Sequence, residues 1–150
     1  MAGKIGRHIQ KISNGLVKIP RIYALDPAGP GFEDHPSIGF EPIKRTDADY
    51  VQIIHTNGGQ LGMQQRTGTV DFYPNGGSKQ PGCNIKPGPN MIESLGTFCN
   101  HFRSWHFYQQ SVRDNFAFPA IRCNSWDDFM SNGTCFKKDI VYMGLGADLT

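Results

Sequence analysis

Residues 50–54, Tyr-Val-Gln-Ile-Ile, are a β-branched, mostly apolar run. A run of this kind fits a strand buried on both faces, with Asn57-Gly58-Gly59 as its stop. Val17 to Leu25 forms an earlier strand-like stretch, interrupted by Pro20 and ended by Asp26-Pro27-Ala28-Gly29-Pro30. Thr67 to Tyr73 forms a later one, closed by Pro74-Asn75-Gly76-Gly77. A doubly buried strand needs cover, and helices supply it. Met1, Ile5, Ile9 and Ile12 fall at spacings of 4, 4 and 3, which predicts a helix over 2–12 with a core-facing apolar stripe. Asn14-Gly15 is its C-terminal stop. Phe102, Trp105, Tyr108 and Val112, with Phe98 just before, give a second helical stripe, for which Asn100 is a reasonable N-cap. The remainder reads as a cysteine-closed loop and a glycine-rich tail. The expected fold class is α/β, with few strands for a sheet covered on both faces.

At 150 residues the chain is one domain or part of one. The net charge of +2, without a basic run, gives no electrostatic case for nucleic acid. No apolar run approaches the roughly 18 residues that span a bilayer, and the N-terminus has no signal-like apolar core. Those features alone read as cytosolic, and the cysteines oppose them. Cys83, Cys99, Cys123 and Cys135 allow three pairings. The simplest joins neighbours, Cys83 to Cys99 and Cys123 to Cys135, each closure stabilising by roughly 3 kcal/mol through chain entropy. Zinc is the competing use, but no Cys-x-x-Cys spacing is present. Asn132-Gly133-Thr134 is a glycosylation sequon. Sequon and disulfides together favour secretion.

Asp26 lies where a strand ends in Pro and Gly, and functional groups of open α/β sheets gather beyond such ends. A carboxylate there can orient an imidazole and stabilise its protonated form; the plainer reading is an Asp-Pro turn. His101 lies two residues after Cys99, where a disulfide would pin its backbone as a general base requires. The plainer reading is a surface or capping histidine. His55 ends a strand and is a rival base, whereas His8, His35 and His106 have no evident partner.

Leu25-Asp26-Pro27-Ala28-Gly29-Pro30, Ile54-His55-Thr56, Val70 to Gly77, Pro81-Gly82-Cys83 and Cys99-Asn100-His101-Phe102-Arg103-Ser104 occur in this order. As a set they resemble the pancreatic lipase family, including its insect and venom phospholipase A1 members, from the first helix to about Gly144. The order Asp before His is that of α/β-hydrolase triads. The resemblance implies that Asp26 is the triad acid, that His101 is the base and that His55 is structural. It also implies that Cys83 and Cys99 tie the base of a lid over the active site, formed by residues 84–98, with Met91, Ile92 and Leu95 either touching lipid or packing in the core.

The family's Gly-x-Ser-x-Gly nucleophile turn does not occur in the 150 residues. The expected architecture is therefore the C-terminal half of an α/β-hydrolase fold: a partial parallel sheet, flanking helices and a disulfide-tied lid loop. Residues 1–150 would be a partial lipase domain whose other half carries the serine and the secretion signal. Of the family's calcium loop only Asp47 is matched, beside Lys44 and Pro42, so no metal or cofactor is expected. The lid segment and the stretch between His55 and Asp71 each hold 15 residues, short for a triglyceride lipase. The expected activity is that of a secreted phospholipase A1 acting at a lipid–water interface, with this chain inactive alone. Triacylglycerol lipase is the alternative, and a non-catalytic storage or binding protein of the yolk-protein type is the second.

Overall fold

Three of the apolar runs pair in one parallel sheet. The computed structural model describes residues 1–33, 41–83, 92–131 and 135–147, with the backbone alone at 92–95 and 136–139. The sheet order is β1 (Arg21–Leu25), β2 (Tyr50–Ile54), β3 (Val70–Phe72). Arg21 aligns with Tyr50 and Leu25 with Ile54, while Gln52 aligns with Val70 and Ile54 with Phe72. All five residues of β2 are buried, as its unbroken apolar composition predicts. Val51 and Ile53 pack with Ile22 and Ala48, and Ile19, Ala24 and Ile43 complete this cluster. Pro20 marks the start of β1. β3 is shorter than the Thr67–Tyr73 stretch because the Thr67 and Gly68 amides donate to the Asp71 carboxylate, which bends the chain before the ladder begins.

α1 (Ala2–Ile12) spans the predicted helix, but with a different face inward. Its buried residues are Gly3 and Gly6, while Met1, Ile5 and Ile12 are exposed. The reason is steric. Gly3 and Gly6 share one face, and without side chains that face closes onto the segment at Asp47, where a β-carbon at Gly6 would collide with the Asp47 carbonyl. Arg7, on the next turn position, reaches both oxygens of the buried Asp47 carboxylate at 2.8 and 2.7 Å.

α2 (Ile92–Arg113) begins well before Asn100. Asn100 is therefore no N-cap: it lies inside the helix, and its Oδ1 accepts from the Gln80 amide at 2.7 Å. Phe98, Phe102, Trp105 and Val112 of the expected stripe are each about half exposed, while Tyr108 is partly buried. The chain divides within α2 into two compact units, Met1–Ser104 and Trp105–Thr150. The second unit holds more order than a loop and tail. β4 (Pro119–Arg122) pairs antiparallel with β5 (Phe136–Tyr142) around a bulge at Ile121/Arg122. The Cys123–Cys135 disulfide closes the connection between them. α3 (Trp126–Met130) lies in that connection, capped by the Ser125 hydroxyl accepting from the Asp128 amide, with Asp127 and Asp128 at its positive end. Ser111 of α2 accepts from the Leu145 amide at 2.9 Å, which anchors the glycine-rich tail.

Gly6→Ala tests the α1 contact. In an exposed helix this change gains up to about 1 kcal/mol. Here the new methyl meets backbone that cannot swing aside, so a net loss of about 1–3 kcal/mol is expected, read as a lower urea midpoint.

Candidate active site

The turn after β1 places Asp26 on a backbone that few side chains adopt. Its φ is 47°, in the left-handed region, where Asp is one of the tolerated residues. Its amide donates to the Ile54 carbonyl at 2.8 Å, extending the β1–β2 ladder by one bond. The side chain is 1% exposed. Oδ1 accepts from the backbone amides of Thr56 and Asn57 at 2.7 and 2.9 Å. Oδ2 lies 2.7 Å from Nδ1 of His101. A carboxylate only accepts, so Nδ1 carries a proton, and in the neutral ring Nε2 then presents a lone pair. Among the described residues Nε2 has no hydrogen-bond partner, and the His101 side chain is 30% exposed. The structure thus brings together two residues 75 apart in sequence into a buried acceptor and a partly open imidazole.

Two features fix His101 from behind. The Cys83–Cys99 disulfide ties its helix to the segment after β3, with Cα atoms 5.5 Å apart. The Thr56 hydroxyl donates to the His101 carbonyl at 3.3 Å. Gln80, 2% exposed, supports the same corner: its Nε2 donates to the carbonyls of Thr56 and Pro74. Gly62 passes so close to Asp26 that a β-carbon there would strike the carboxylate. Sequence reasoning missed Asn57, Gln80 and Gly62 as parts of this site. Asn57 acts through its backbone amide, and such donors leave no mark in residue type.

His55, the rival base, is fully buried with both ring nitrogens engaged. Nδ1 is 2.8 Å from the Met63 carbonyl and Nε2 is 2.9 Å from Asp71. It has no free lone pair for a substrate. Its ring stacks on Tyr73 with centroids 4.2 Å apart. Asp47 is occupied by Arg7 and by the Lys44 amide. Among the described residues no group of three or more His, Cys, Asp or Glu could hold a metal ion. No described helix is long and apolar enough to cross a membrane. Both nearest-neighbour disulfides form. His35, Asn132 and residues 84–91 lie outside the described residues.

The sequence has relatives among known proteins. The sequence model of the family described as Lipase matches residues 1–149. The chain belongs to the lipase family. It is 36% identical to pancreatic lipase-related protein 2 of Cavia porcellus over 98% of this chain and 32% of that protein. It is 38% identical to lipase member H of Oryctolagus cuniculus over 89% of this chain and 29% of that protein. It is 34% identical to the phospholipase A1 of Vespa crabro over 98% of this chain and 44% of that protein. This lipase-family chain therefore spans less than half the length of each relative.

Tyr73, stacked on His55, supplies a pH prediction together with Tyr50 of β2. Burial pushes both phenols up to about 12, helped by the Asp71 charge at Tyr73 and by Tyr23 at Tyr50. The folded state thus holds these protons more tightly than the unfolded state, whose phenols keep the ordinary value of 10. Stability from this source is complete below pH 10 and is lost as pH rises from about 10 towards about 12. Tyrosinate absorbance should show Tyr50 and Tyr73 ionising towards about pH 12, and the melting temperature should fall across the same window.

Proposed function

We propose that this chain is part of the catalytic domain of a secreted serine esterase, and that it contributes the acid and the base of a Ser-His-Asp triad. The observation that carries the reading is the 2.7 Å bond between buried Asp26 and His101 Nδ1, the arrangement in which the neutral ring has Nε2 free to accept a proton. The serine comes from a segment outside these residues. Nε2 takes the serine hydroxyl proton as the oxygen attacks the ester carbonyl, then gives that proton to the departing alcohol. Water, deprotonated by the same nitrogen, releases the fatty acid and restores the serine. Asp26 orients the ring and stabilises its imidazolium.

The partial-domain reading is supported by the chain's short coverage of its relatives and by the exposed apolar side chains of α1. An apolar hollow lined in part by Ala2, Ile5, Ile19 and Ile22 adjoins that face beside β1. The relative named as a phospholipase A1 and the two short 15-residue spacings support phospholipid as the substrate, cut at the sn-1 ester. Residues 84–98 then serve as a lid tied by Cys83–Cys99, and Asn132 as a glycosylation site in an extracellular protein.

The test uses the full-length protein that contains this chain, with phosphatidylcholine and triolein emulsions as substrates. Fatty acid release from phosphatidylcholine is expected to dominate. Faster turnover of triolein would assign the protein as a triacylglycerol lipase, and release from neither would leave the storage reading. Asp26→Asn should lower kcat on the order of ten-thousandfold. His101→Ala should lower it on the order of a millionfold, to the background left by binding and the oxyanion hole.

A further inference from the structure

His55 and Asp71 form a buried pair that the proton transfers above do not use. The Met63 carbonyl can only accept, so His55 Nδ1, 2.8 Å away, carries a proton. Asp71 already accepts from two backbone amides, Thr67 on Oδ1 at 3.3 Å and Gly68 on Oδ2 at 3.1 Å. That environment suits a carboxylate. The 2.9 Å contact between His55 Nε2 and Asp71 Oδ1 then needs the second ring nitrogen to donate as well. The His55 ring, donating from both ends, staples two places at once. Through Nδ1 it closes the loop 55–63 onto its own start, and through Nε2 it fastens that start to β3.

The loop so closed is the cradle of Asp26. Thr56 and Asn57, immediately after His55, donate to Asp26 Oδ1. Gly62, immediately before Met63, lies so close to the carboxylate that a β-carbon there would strike it. The Met63 amide donates to the Pro27 carbonyl at 2.7 Å, so the same end of the loop also grips the turn that holds Asp26. Thr56 reaches the His101 carbonyl. A shift of the His55 ring therefore moves amides on Asp26 and a hydroxyl on His101 together.

We propose that His55 and Asp71 are positioning residues for the Asp26–His101 pair, with a doubly protonated His55 bridging Met63 and Asp71 to hold the loop 55–63 around the Asp26 carboxylate. This rests on the triad reading above for its catalytic meaning, and its structural content is independent of it.

The experiment is histidine-selective 15N and proton NMR of the full-length protein at neutral pH, joined to kinetics. Both ring nitrogens of His55 are expected to carry slowly exchanging protons, and the His101 Nδ1 proton to give a far-downfield resonance. A His55 nitrogen with a lone-pair shift in the wild type overturns the proposal whatever any variant does. Asp71→Asn keeps the shape of the side chain and removes its charge. It should move or broaden the His101 resonance and lower kcat, per titrated active site, on the order of ten- to a hundredfold with KM little changed. An unchanged His101 resonance with unchanged kcat overturns the proposal. Loss of folded protein alone would lower the number of titrated sites without touching kcat per site, and that result also counts against it. Failure of the triad reading looks different: His101→Ala would leave fatty acid release intact while the wild-type His55 spectrum stayed as described.

Discussion

A carboxylate at 1% exposure is tolerable only when its oxygens find donors, because unpaired burial costs several kcal/mol. Asp26 finds three: two backbone amides from one loop and one imidazole from a helix. That requirement organises the first unit. It brings the end of β1, the loop after β2 and one face of the His101 helix to one point. It also explains why a glycine passes at Gly62, since any side chain there would occupy the carboxylate's space. The parallel sheet supplies the rigid base for this point, and its fully buried central strand gives the sheet its core.

Legibility from sequence followed the physics of each element. The strands were readable because β-branched runs ended by Gly, Pro and Asn have few other uses. The extent of α1 was readable from its period, but its inward face was not. The apolar period of Ile5, Ile9 and Ile12 competes with a glycine pair that allows backbone-to-backbone approach, and the approach prevails. Asn100 looked like a cap because its residue type suits one; it serves instead as an acceptor for the Gln80 amide from within α2. The β4–β5 hairpin was missed because Pro119 to Arg122 is short and half exposed, with no clean alternation to mark it.

At the site, Asp26 and His101 were nameable only as parts of an ordered set of motifs. Each alone is an ordinary turn or helix residue. Their 2.7 Å contact depends on a separation of 75 residues that no local pattern encodes. His55 and His101 differ in how their rings are engaged: one ring has a nitrogen to spare and the other has none. The backbone donors around Asp26 lie beyond sequence reading, because every residue but proline has an amide.

The left-handed backbone at position 26 narrows what substitution can reach. The conformation admits glycine, asparagine and aspartate with little strain. Holding a protonated ring nitrogen while also accepting two amides calls for a side chain that offers acceptors only. Glycine lacks the oxygens, and asparagine turns one acceptor into a donor facing either an amide or the ring N–H. Glutamate keeps the charge but neither the reach nor the backbone preference. The requirements of main chain and side chain intersect at a single residue type, so drift at this position has no neutral neighbour to step through.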